Sequence, residues 1–148
     1  MKNAPEHEFR RIQEEIKRHF NFLFERGFRI VSVIFIDPQM EFWEITMLSK
    51  DSLIKIYNDD KGEIMLAIST LRLYANVGFF DLHELAYFSG KVKKAPRRDT
   101  KNFLKTEEQQ FERLSNLLKT HIDDVIVWLD QTYDCKDELC KAAAKQGI

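Results

Sequence analysis

A chain of 148 residues with 44% hydrophobic, 12% aromatic and 32% charged residues has the size and composition of one globular domain, which excludes a disordered polyampholyte and a membrane-embedded protein. Its most apolar stretch, Ile30 to Ile36, is far shorter than the roughly 18 residues of a membrane span, and MKNAPEHEFRRIQEE is too charged for a signal peptide, so a cytoplasmic location is expected. The net charge of −1 argues for neither nucleic acid nor membrane, yet residues 91–105 hold five Lys and two Arg against Asp99, a local +6 that leaves −7 on the rest.

From Pro5 to about Arg26, Phe9, Ile12, Ile16, Phe20, Leu23 and Phe24 recur at three-and-four spacing, which predicts one amphipathic helix. Pro5 suits its first turn and Gly27 its C-terminal stop. Beyond Gly27 the period becomes two. Phe28 to Ile36 is apolar on both sides of the alternation, which predicts an interior strand covered on both faces. Met40 to Leu48 follows a turn at Asp37-Pro38-Gln39, with Trp43, Ile45 and Met47 on one face and Glu44 and Thr46 on the other. Ser52 to Tyr57 alternates Ile54 and Ile56 with Lys55. A polar turn, Asn58 to Gly62, needs a positive φ at the glycine and leads to Glu63 to Ser69, with Ile64, Leu66 and Ile68 on one face. Short turns join these segments, so they form an antiparallel meander. Exposed edge strands of such a meander invite pairing, and Lys55 or Glu63 is expected there to discourage it.

Asp81 is set to cap a short helix through Leu82, Leu85, Ala86 and Phe88 that stops at Gly90. The basic segment 91–105 contains Pro96 and no apolar period, and reads as an exposed loop. From Thr106, an N-cap, the residues Phe111, Leu114, Leu118, Ile122, Val125 and Leu129 keep helical spacing for more than five turns. Residues 134–148 have little apolar surface to bury and are expected to fray. The expected fold is therefore a single α+β domain: a four-stranded antiparallel meander packed against an N-terminal helix and a long C-terminal helix, as a two-layer sandwich.

Chemistry-bearing motifs are sparse. Cys135 and Cys140 stand alone as two free thiols, and neither zinc nor a disulfide framework is expected. His83-Glu84 opens like a zinc-protease helix, but Tyr87 occupies the place of the second imidazole. His7, His19 and His121 lie too far apart in sequence to suggest ligation. The pairs Glu14-Glu15, Asp59-Asp60 and Asp123-Asp124 read as solvated faces rather than an acid–base couple. No P-loop, dinucleotide fingerprint or nucleophile elbow is present. Neither catalytic residues, metal nor cofactor is expected. An enzyme with an unfamiliar site would need a pocket where His83, Tyr87 and a carboxylate converge.

Two binding elements remain. LRLYANVGFF carries Tyr74, Phe79 and Phe80 beside a glycine, an anchor for a protein partner if exposed and core if not. Lys91, Lys93, Lys94, Arg97, Arg98, Lys101 and Lys105 form an anion-binding candidate suited to phosphate or nucleic acid, although only Phe103 offers a stacking platform there.

The succession FLFERGF, DSLIKIYNDDKGEIMLAI and FFDLHELAYFSG, within Phe20 to Gly90, resembles small uncharacterised bacterial proteins, some of them similar to immunity proteins of polymorphic toxin systems. That resemblance implies a cytoplasmic, single-domain, non-catalytic protein that acts by binding a protein partner.

Overall fold

The computed structural model describes residues 5–37, 42–59, 62–74, 78–82, 84–85 and 106–131. It is an α+β fold in which α1 (Pro5–His19) and α2 (Asn21–Glu25) precede the strands β1 (Arg29–Asp37), β2 (Phe42–Leu48), β3 (Ser52–Asn58) and β4 (Ile64–Thr70). A single helical turn, α3 (Leu71–Tyr74), a two-residue β5 (Phe80–Asp81) and the long α4 (Glu107–Gln131) follow. Among the described residues the sheet has five antiparallel strands in sequence order, one more than the alternation predicts. β5 is too short to show a period and pairs only through Ala67↔Asp81 and Ile68↔Phe80.

The single N-terminal helix expected over Pro5 to Arg26 is two helices. Phe20 leaves helical geometry with φ −116° and ψ 27°, its amide bonded back to the Ile16 carbonyl at 2.8 Å. Ile12, Ile16, Phe20 and Leu23 all enter one core across the bend, each at most 1% exposed. α2 closes at Gly27, whose φ of +92° only glycine adopts without strain. There the Phe28 amide donates to the Leu23 carbonyl at 3.0 Å and the Gly27 amide to Phe24 at 3.1 Å, the paired bonds of a Schellman stop, with Leu23 and Phe28 buried together.

Trp43, Ile45 and Met47 of β2, Ile54 and Ile56 of β3, and Ile64, Leu66 and Ile68 of β4 point to one face, as alternation predicts. The same core takes Phe111, Leu114, Leu118, Ile122, Val125 and Leu129 from α4. Phe111 is its pivot, stacked on Trp43 with centroids 6.0 Å apart and edge-on to Phe20 at 6.3 Å. α4 starts with a reciprocal capping box: Thr106 Oγ1 accepts from the Gln109 amide at 3.1 Å, and Gln109 Oε1 accepts from the Thr106 amide at 3.0 Å. One turn on, buried Gln110 receives the Ile64 amide at 2.8 Å, fastening the helix to the start of β4. Arg11–Glu107, Arg18–Glu108 and Arg26–Asp123 ion pairs add exposed links between the N-terminal helices and α4.

β1 is not the interior strand its composition suggests. Among the described strands it ends the sheet, with Val31 47% and Ile34 43% exposed. The pairing with β2 skips a residue between Ile30 and Ser32 and again between Phe35 and Asp37. Each bulge reverses the alternation, so Ile30 and Val33, an odd number apart, both pack against the core. Two-sided apolarity here reflects a change of phase, not cover on both faces. Lys55 and Glu63 guard no edge either, since Lys55 lies on central β3 and Glu63 is a buried residue before β4.

Candidate functional site

The face of the sheet turned away from α4 carries the alternate residues. Lys55 and Tyr57 of β3 lie there two apart, and Glu44 stands opposite Tyr57 in the β2–β3 ladder. Lys55 Nζ sits 3.8 Å from Glu44 Oε1 and 4.8 Å from the centroids of both Tyr57 and Phe79. An ammonium between two aromatic faces and a carboxylate is held by attraction to the ring quadrupoles as well as by charge.

Phe79 reaches this position because the chain turns at α3. Thr70 Oγ1 accepts the Leu73 amide at 3.2 Å, and the Leu71 amide donates to Asp51 at 3.0 Å, so α3 is fixed at the end of β4. Leu73 is buried at 1%, which turns Leu71 and Tyr74 outward at 44% and 47% exposure. The Gly78 amide then returns to the Tyr74 carbonyl at 3.2 Å, with Gly78 at φ +90°. Tyr74 lies edge-on against Phe79, their centroids 5.0 Å apart and planes at 64°. Exposed Tyr74 and half-buried Phe79 and Tyr57 thus form an aromatic surface around the Lys55 ammonium.

The residues singled out in LRLYANVGFF therefore separate. Tyr74 and Phe79 share the surface, whereas Phe80, 2% exposed, faces the core and has no outward contact to offer. Asp81 occupies the row of Ala67 and Lys55, and its Oδ1 accepts the Glu84 amide at 3.2 Å, the predicted capping contact. Burial, reinforced by the nearby Asp81 charge, pushes the Glu84 carboxyl up to about 7.

The anion-binding candidates Lys91, Lys93, Lys94, Arg97, Arg98, Lys101 and Lys105 lie outside the described residues, as do Asp60, His83, Tyr87, Cys135, Cys140 and the tail 134–148. Among the described residues no group of His, Cys, Asp and Glu is placed to hold a metal ion, and no helix is long and apolar enough to cross a membrane. His19 stacks on Phe111 at 5.5 Å with Nε2 3.4 Å from Glu15, a boundary position under α4.

Sequence reasoning missed Lys55 and Tyr57 as members of the surface. Their i, i+2 spacing placed them on one face, but only the return of the chain at Gly78 shows that Phe79 covers Lys55. Compared with family models, curated proteins and solved structures, the chain has no significant match.

Proposed function

We propose that this protein is a non-catalytic binding module that docks a protein partner on the outer sheet face, with Tyr74 as the central anchor. The observation that carries this reading is the exposed Tyr74 ring held edge-on to Phe79, which is itself seated on Lys55. Aromatic side chains immobilised before binding lose little entropy on contact, and Tyr is among the residues that dominate binding energy at interfaces. Lys55 and Glu44 supply a polar border. The resemblance to immunity proteins supports a partner of the toxin-domain kind and a cytoplasmic setting.

Affinity capture with the whole chain as bait, run beside Tyr74→Lys, tests the reading. A stoichiometric protein recovered by the wild type and lost with Tyr74→Lys is the expected result. Equal recovery by both baits, or repeated recovery of no partner, refutes it.

A further inference from the structure

β1 is a nine-residue strand at one end of the sheet order, while the opposite end is the two-residue β5. Half of the backbone hydrogen-bonding groups of an end strand face away from its neighbour, and such an edge accepts a further strand. Val31 and Ile34, both exposed, lie on it. Its sequence RIVSVIFID is almost wholly apolar between two opposite charges, Arg29 at the start and Asp37 at the end. Arg29 is exposed.

We propose that β1 is a contact between two copies of this chain, paired antiparallel about a twofold axis at Val33. In that register Arg29 of each copy stands opposite Asp37 of the other, Val31 opposite Phe35, and Ser32 opposite Ile34. An axis at a residue maps odd positions onto odd and even onto even, so between the bulges the backbone groups facing the edge meet groups that also face it. Any other antiparallel register separates the two charges, and a parallel in-register pairing sets like against like at both ends. Charge thus selects one arrangement of an otherwise uniform apolar strand. The bulges at Val31 and Ile36 fall on either side of the axis and restrict regular pairing to its centre, so the dimer is weak and reversible.

Sedimentation equilibrium on the whole chain, up to about 1 mM, gives the test. The wild type is expected to dimerise with concentration, and Arg29→Asp and Asp37→Arg each to weaken the dimer roughly tenfold or more. Mixing the two variants should restore association, because the all-acidic ends of one strand then meet the all-basic ends of the other. Val31→Lys, at an exposed position, should also weaken the dimer, and Tyr74→Lys should leave it unchanged. A wild type that stays monomeric overturns the proposal, as does a dimer indifferent to both charge reversals or a mixture that fails to associate. Circular dichroism reports whether each variant is folded. If a charge variant is not, Val31→Lys decides, and an undiminished dimer overturns the proposal.

Discussion

Gln110 offers the sharpest test of how α4 is fastened to the sheet. Its side chain is 3% exposed, its Oε1 takes the Ile64 amide at 2.8 Å, and its Nε2 donates more loosely to the Gly62 carbonyl at 3.4 Å. Gln110→Met keeps the length and nearly the volume of the side chain, which holds cavity and packing effects small. It removes the acceptor and leaves a buried amide without its partner, a loss of about 1–3 kcal/mol. For a chain of this length each kcal/mol moves the midpoint by about 3–4 °C, so the expected fall in Tm is about 3–12 °C. Thermal unfolding followed by circular dichroism measures it, and amide hydrogen exchange should show Ile64 losing protection beyond the global change. A variant within about 1 °C of wild type, with the Ile64 amide still protected, would refute the claim that this bond anchors the helix.

Gly27→Ala should cost about 1–2 kcal/mol in urea unfolding, since open space surrounds the position and only the left-handed backbone resists a side chain. Thr106→Ala removes one half of the capping box and should cost roughly 1 kcal/mol, whereas Thr106→Ser should cost less. Glu84, at about 7 in the folded chain against an ordinary 4.5, keeps a proton between those pH values that the unfolded chain has released. Its contribution favours folding below about 4.5 and is lost as pH rises through 7, so Glu84→Gln should flatten the urea midpoint across that window. Asp81→Asn should shift the same loss to lower pH, because the Asp81 charge is the second cause of the raised value.

The α+β class, the two-layer packing, the meander and the long helix were all legible in periodicity. So were three local devices, the glycine stop at Gly27, the positive φ at Gly62 and the cap at Thr106, because each depends on residues within one turn of itself. What misled were places where tertiary packing overrides a local pattern. The hydrophobic spacing of α1 continues unbroken through Phe20, so periodicity carries no sign of the bend at which Phe20 packs edge-on to Phe111. In β1 the bulges imitate the composition of a central strand. The surface at Tyr74 was half legible: an aromatic cluster next to glycine marks a turn, but which rings face outward depends on Leu73 and Phe80 filling the core.

The sheet order repeats the chain order, so each strand can pair with its predecessor as soon as it is made. α4, which covers the apolar side of those strands, begins only at residue 107. During synthesis, then, β1 to β4 emerge from the ribosome before α4 can cover Ile45, Ile54, Ile56 and Ile68, while α1 and α2 are already translated. Such a nascent intermediate is prone to stick to others of its kind, and chaperone engagement of truncated ribosome-bound chains should end when the stretch through Leu129 has cleared the exit tunnel.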